Sequence, residues 1–326
     1  MFYFKELIFD RIPFLVSYEI SIDILLLFWI ISIVMLCIGL FTRTFAVVNY
    51  LFTIIICGTI TSYEYHMFYA YLGVGFLFLF MPISKSYSLD ALILKLKHSN
   101  AKVAYNPDTK VSQIYYFLPL FLTIGLIYIY SVFYKFSSDY WMTGLGMWRP
   151  SVFPNFNAYG ETIFINNLFL TKLFGYTMII FEFVFVFLFW FKKLRIPFFI
   201  TGIGLHLGIL IFFLIPWFAL GYMAIYLLLV PVSYFRKFFA FFKSKKQTLH
   251  FVYDGDCPLC NRTKIIITSL DFFNKIAFVT AQNVKRKHNI EAINAIEDEQ
   301  LILHIHSFSN KGKVYKGVDT SKYFLE

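Results

Sequence analysis

Apolar residues run through the first two-thirds of this chain in long unbroken stretches, and polar residues interrupt them only at intervals of membrane-spanning length. The pattern predicts seven spans: Ile22–Leu40, Phe45–Thr61, Met67–Ile83, Ile114–Tyr134, Leu168–Phe191, Ile196–Ile215 and Trp217–Phe235. The segment before them is interrupted by Glu6, Asp10 and Arg11 and offers no small-residue cleavage site. It reads as an amphipathic stretch lying at the interface rather than as a cleavable signal. From residue 248 the pattern changes. Short β-type runs (Leu249–Tyr253, Ile276–Thr280, Leu301–Phe308) alternate with helix-like runs (Asn261–Leu270 and roughly 290–297), and a turn at Asn310-Lys311-Gly312 joins the last two strands as a hairpin. The expected architecture is a polytopic α-helical membrane domain over 1–235, a basic linker over 236–247, and a small thioredoxin-like α/β domain over 248–326.

Composition agrees with a membrane protein: 59% of residues are hydrophobic, 22% aromatic and only 15% charged. A net charge of +10 raises nucleic acid as a partner, but its distribution argues against one. Residues 1–247 hold 19 Lys and Arg against 10 Asp and Glu, whereas 248–326 hold 10 against 9. The excess sits in the loops after odd-numbered spans (Arg43; Lys85, Lys95, Lys97, Lys102, Lys110; Lys192, Lys193, Arg195) and in the linker (Arg236, Lys237, Lys243, Lys245, Lys246). The other side has Lys5, Arg11, Lys135, Arg149 and Lys172. This asymmetry puts the N-terminus outside and the C-terminal domain in the cytoplasm, with the linker facing lipid headgroups.

Of four cysteines, Cys37 and Cys57 fall inside spans and read as small packing residues. Cys257-Pro258-Leu259-Cys260 lies where a β run gives way to a helix, so Cys257 stands at a helix N-terminus. Backbone N–H groups and the helix dipole there favour a thiolate. Cys260 is one turn away and suits a resolving thiol, while Asp254 and Asp256 are tuning or proton-handling groups that also oppose thiolate formation. A zinc half-site with His304 and His306 is the alternative, lacking a second cysteine pair, and an inert pair is a third. In a reducing cytoplasm the pair would rest as a dithiol.

Ionisable residues inside spans carry functional hypotheses by default. Glu182 sits in an aromatic run and reads either as a proton carrier or as a protonated interhelix anchor. His206, between Gly204 and Gly208, reads as a buried hydrogen-bonding group or a functional one. Lys135 ends the fourth span, where it either snorkels to the headgroups or, if desolvated, serves as a base. His66 is expected on the same side of the membrane as Lys135, opposite the dithiol.

Two resemblances add to this reading. Tyr253-Asp254-Gly255-Asp256-Cys257-Pro258-Leu259-Cys260, followed by Asn261-Arg262, resembles the signature of the DCC family of thiol–disulfide oxidoreductases, and Lys313-Val314-Tyr315-Lys316-Gly317 resembles its later strand. The resemblance implies a redox-active dithiol at Cys257 and Cys260 with Asp254 in its core motif, and no covalent cofactor. The chain departs from it by reaching Glu326 without the family's helical C-terminus, so a shortened domain is expected, and by having no proline after Pro258.

Across residues 1–235, Gly39-Leu40…Arg43, Thr61-Ser62…His66, Ser88-Leu89-Asp90, Tyr134-Lys135…Trp141…Gly144, Glu182 and His206-Leu207-Gly208 resemble the horizontally transferred transmembrane domain. That module is shared by vitamin K-dependent γ-glutamyl carboxylases and the bacterial sporulation-delaying-protein B group. It implies Lys135 as a base toward a quinone-like lipid, His66 as its assistant, and a bacterial inner-membrane setting. The carboxylases' large extramembrane region has no counterpart here, so full γ-carboxylase activity is not expected. The readings that result are a membrane-bound oxidoreductase acting on a protein thiol or disulfide partner, a maturation, export or immunity protein for a hydrophobic peptide with an accessory dithiol, and a transporter-like or structural protein with a decayed redox tail.

Overall fold

The computed structural model describes residues 22–59, 66–100, 105, 107, 110–153, 164–287, 291–317 and 319–320. Its contacts gather into two compact units: one of residues up to Cys37, Phe41–Ile83 and Lys110–Val232, the other of Ile38–Leu40, Ser84–Thr109 and the chain from Ser233 onward. The N-terminal segment expected at the interface and the Thr61–Tyr65 loop lie outside the described residues.

The secondary structure described for the first unit is built of helices. It contains α1 (Ile22–Ile38), α2 (Thr42–Thr59) and α3 (His66–Phe80), and, beyond α4 (Leu89–Lys97) of the second unit, α5 (Gln113–Phe136), the single turns α6 (Asp139–Met142) and α7 (Trp148–Ser151), α8 (Leu168–Leu188), α9 (Arg195–Phe212) and α10 (Pro216–Leu229). Among the described residues, α5, α8 and α9 are long and apolar enough to cross a membrane. A fourth candidate is the bent pair of α10 and α11 (Val232–Phe242), and α1, α2 and α3 are shorter apolar helices. Three to four such spans are consistent with a membrane protein. Aromatic rings fill the centre: Phe121, Phe185 and Phe189 stack across α5 and α8 at 4.7–5.9 Å, and Tyr128 packs edge-on to Phe185. The outer faces keep Leu126, Phe133, Ile180, Phe187 and Trp217 exposed, an apolar surface far larger than a water-soluble monomer tolerates.

Glycine permits the closest helix approaches here, since nothing in lipid drives apolar helices together except packing. A Cβ at Gly175 would lie 2.7 Å from the Gly144 carbonyl oxygen, and Gly144 itself turns the chain with φ +81°.

In the second unit, β1 (Leu249–Tyr253) is followed by α12 (Pro258–Leu270) and β2 (Ile276–Thr280). Three short helices, α13 (Ala281–Lys287), α14 (Glu291–Asn294) and α15 (Asp298–Leu303), lead to the hairpin of β3 (His306–Ser309) and β4 (Val314–Lys316). The sheet order is β2-β1-β3-β4; β1 and β2 are parallel, and the other pairs antiparallel. Strand alternation divides the core. Val252 and Phe308 face one layer with Val279, Val284, Ile293 and Leu301, while Phe251 and Tyr253 face another with Cys260, Ile267 and Phe278.

The run expected as a strand from Leu301 is helical as far as Leu303, and the strand begins only at His306. Asp298 and Glu299 occupy the first turn of α15, where carboxylates complement the positive helix end, and Leu301 is buried as a helical residue. The hairpin turn forms where expected: Gly312 N–H donates to the Ser309 carbonyl at 2.9 Å, with Gly312 at φ +79°.

The glycine packing is testable. Gly175→Ala should destabilise the helical unit by about 1–3 kcal/mol through overpacking against rigid backbone, whereas Gly204→Ala, whose Cβ meets nothing within 4 Å, should be near neutral. Thermal unfolding of the two variants in the same detergent checks this.

Candidate functional site

The chemistry concentrates in one cluster in each unit. In the second unit the chain leaves β1 at Tyr253 and enters α12 at Pro258, where proline's missing N–H is no loss. Cys257 is therefore the N-cap (φ −79°, ψ 120°), and its sulfur accepts the Cys260 backbone N–H at 3.4 Å. The preceding loop is held by three contacts. Asp254 Oδ1 accepts the Asp256 N–H at 3.1 Å and Gln282 Nε2–H at 2.8 Å, and Asn261 Nδ2 donates to the Gly255 carbonyl at 3.0 Å. The backbone N–H of Cys260 pulls the Cys257 thiol below its ordinary value, with further help from the Cys260 thiol and the Leu259 N–H and opposition from desolvation and, less, from Asp254. Burial against Phe251, Tyr253 and Ile305 pushes Cys260 the other way. The two thiols are thus biased in opposite directions, Cys257 toward the thiolate and Cys260 away from it, as suits an attacking and a resolving cysteine.

Sequence reasoning missed two residues here. Gln282 opens α13 after β2 and carries no local signal. Lys264 lies one turn beyond Cys260, and its Nζ donates to the Tyr253 hydroxyl at 2.8 Å while lying 4.7 Å from that ring's centre. The i, i+4 spacing from Cys260 is the signal that would have found it. Asp256 is exposed, and its backbone serves Asp254. Among the described residues no three His, Cys, Asp or Glu side chains gather as a metal site. His306 is buried with Nδ1 against the His304 carbonyl at 2.8 Å.

In the helical unit, Lys135 on α5 turns inward instead of snorkelling. It is buried, its Nζ donates to Glu182 Oε2 at 2.5 Å, and it lies 4.7 Å from the centre of the Trp141 ring on α6. The reason is α8, which carries the counter-charge to that level: an ammonium at an apolar edge gains more from a buried carboxylate than from reaching for headgroups. The pairing gives Glu182 a partner that neither reading of the sequence, proton carrier or interhelix anchor, had named.

His206 on α9 closes the same cavity of about 130 Å³, with Tyr128, Ser131 and Tyr222. Its ring stacks on Tyr222 (4.8 Å, 4°), and its Nε2 is 3.5 Å from the Tyr128 hydroxyl, which in turn is 2.5 Å from that of Tyr226. His206 Nδ1 is buried and faces no hydrogen-bond partner among the described residues. Glu182, Lys135, Trp141 and His206 thus come together. Arg43 is exposed on the first turn of α2 and takes no part in this cavity, and the His66 side chain lies outside the described residues. The tyrosines were missed, although Tyr222 and Tyr226 at i, i+4 within one apolar helix mark a polar stripe.

Residues 251–323 match the family described as DCC1-like thiol-disulfide oxidoreductase. No curated protein and no solved structure matches the chain. The C-terminal domain is therefore a DCC1-like thiol-disulfide oxidoreductase domain, carried behind a region of apolar helices. The match lies wholly within that domain and bears on nothing in the first 235 residues.

Two outcomes follow from this geometry. Glu182→Gln should cost about 3–5 kcal/mol by stranding the buried Lys135 ammonium, and the double variant Lys135→Met/Glu182→Leu should recover most of that; thermal melts of the three proteins decide it. Alkylation of Cys257 in a Cys260→Ala variant should reach half its maximal rate at a pH below the ordinary thiol value, about 8.5. Cys260 in Cys257→Ala should need a higher pH, since its thiol is held protonated until the solution is more alkaline.

Proposed function

We propose that this chain is an integral membrane thiol–disulfide oxidoreductase. The observation that carries the reading is the Cys257 sulfur at the N-cap of α12, half-buried and accepting the Cys260 N–H, in a domain matching the DCC1-like family. The strand order β2-β1-β3-β4 with a parallel first pair, and the dithiol between β1 and α12, also suit a thioredoxin-like fold.

In the direction written here the dithiol is the reductant. The Cys257 thiolate attacks one sulfur of a partner's disulfide; that S–S bond breaks, a mixed disulfide forms, and the displaced sulfur takes a proton. Cys260 then loses its proton and attacks the Cys257 sulfur, releasing the second partner thiol. Two electrons pass to the partner, and the Cys257–Cys260 disulfide is left for a thiol reductant of the compartment to reduce. The Lys and Arg bias across the seven expected spans supports placing this domain on the cytoplasmic side.

The helical unit is the place for a second, lipidic substrate. Its cavity of about 130 Å³ is lined by rings and by the polar groups of Lys135, His206 and Tyr222. It suits the ring of a quinone-like lipid, whose oxygens need such donors, better than a hydrophobic peptide segment, which needs far more room. A Lys135-based exchange of protons with that ring is part of the same proposal.

Differential alkylation of Cys257 and Cys260 in purified membranes, with and without dithiothreitol and menaquinone, tests it. A reversible disulfide that responds to dithiothreitol is expected, together with a trapped mixed disulfide in Cys260→Ser. Thiols that never join under oxidant would end the redox reading, and a redox state indifferent to menaquinone would end the quinone part alone.

A further inference from the structure

The segment between the two clusters has a surface of its own. Helix α11 (Val232–Phe242) has no buried residue, yet six of its eleven positions are Phe or Tyr. At about 100° per residue, Tyr234, Phe235, Phe238, Phe239, Phe241 and Phe242 fall on one half of the helix. Ser233, Arg236, Lys237 and Ala240 fall on the other. Phe241 is 84% exposed, Phe239 60% and Phe238 59%. Among the described residues, the ring contacts of Phe238, Phe239, Phe241 and Phe242 are with one another. Residues 232–247 carry Arg236, Lys237, Lys243, Lys245 and Lys246, and no Asp or Glu.

We infer that α11 is an anionic-lipid-binding helix that lies in the headgroup layer of the bilayer and holds the dithiol domain there. Three observations choose lipid over a protein partner. The aromatic half buries no residue against the described residues, and a half-cylinder of phenylalanine opposite a basic face is the pattern of helices that lie in the interface. The charge of the polar face is all of one sign and complements anionic headgroups. The helix also begins at Val232, directly after α10 ends at Leu229. A chain leaving an apolar helix covers only about 10 Å in three residues, and α11 turns by 95° from α10, so α11 starts close to the end of an apolar helix without continuing its direction.

The dithiol domain is fastened to the end of this helix. Ser244 N–H donates to the Phe273 carbonyl at 2.7 Å and the Asn274 amide reaches the Ser244 carbonyl at 3.5 Å, while Thr248 N–H donates to the Lys275 carbonyl at 2.8 Å. The six residues after Phe242 are therefore a short bonded strap, and the lipid contact of α11 sets how far Cys257 stands from the bilayer.

The test uses the full chain in nanodiscs of phosphatidylcholine with or without phosphatidylglycerol. Single spin labels are placed at 236, 237, 238, 241 and 242 in a background with Cys37, Cys57, Cys257 and Cys260 replaced by serine. Labels at 238, 241 and 242 should be rich in oxygen and shielded from a nickel chelate, and those at 236 and 237 the reverse. Water-like values at all five sites would overturn the inference, as would lipid-like values at all five, which would make α11 the continuation of a span.

Lipid selectivity is read separately on the wild-type chain, by enrichment of labelled phosphatidylglycerol in its boundary layer. Several-fold enrichment that falls away in Arg236→Gln/Lys237→Gln/Lys243→Gln supports the assignment. Enrichment unchanged by those substitutions, or none in the wild type, overturns it. Neither result touches the alkylation test of the dithiol.

Discussion

Charge is expensive in an apolar bundle unless its counter-charge is folded in beside it, and the helical unit is arranged around that constraint. Lys135 and Glu182 come from different helices, 47 positions apart in the chain, and meet at 2.5 Å. For them to meet, α5 and α8 must stack with their phenylalanines in register. Gly175 must also admit the Gly144 turn, which lies just beyond the Trp141 that covers the ammonium. A pair of this kind adds little net stability compared with apolar residues of the same shape, but it penalises every packing that separates its members. It acts on the register of the bundle more than on its strength.

The dithiol domain obeys a different economy. No charged side chain is needed to favour the Cys257 thiolate, because backbone N–H groups left over at a helix start do so, and Pro258 helps define that start. The carboxylate nearby, Asp254, works against the thiolate and is occupied with holding the loop through Asp256 and Gln282. Its place in the motif is therefore as much architectural as electrostatic.

Much of this was legible in the sequence and some was not, for physical reasons that differ by residue. β1 and β2 were readable because each is a short apolar run bounded by polar turns, and the Cys257 position followed from the junction between a strand and a helix. The stretch from Leu301 misled because alternating apolar residues suit a strand, while Asp298 and Glu299, a few residues earlier, favour a helix start that the alternation does not reveal. Lys135 and Glu182 were each visible as anomalies, but their pairing depends on how two helices dock, which no local pattern encodes. Gln282 was invisible, since its role arises only when β2 is laid beside β1.

The strap at Ser244 has one more consequence. A reductase that diffuses freely meets its partners in three dimensions and discriminates among them by contact alone. On the proposed reading, in which α11 holds the dithiol domain at a bilayer, the search is confined to a plane, and partners in the same plane would gain a local concentration that no soluble protein can match. Selectivity would then be geographical: the choice of disulfide is made by where a protein resides before any residue of the two touches.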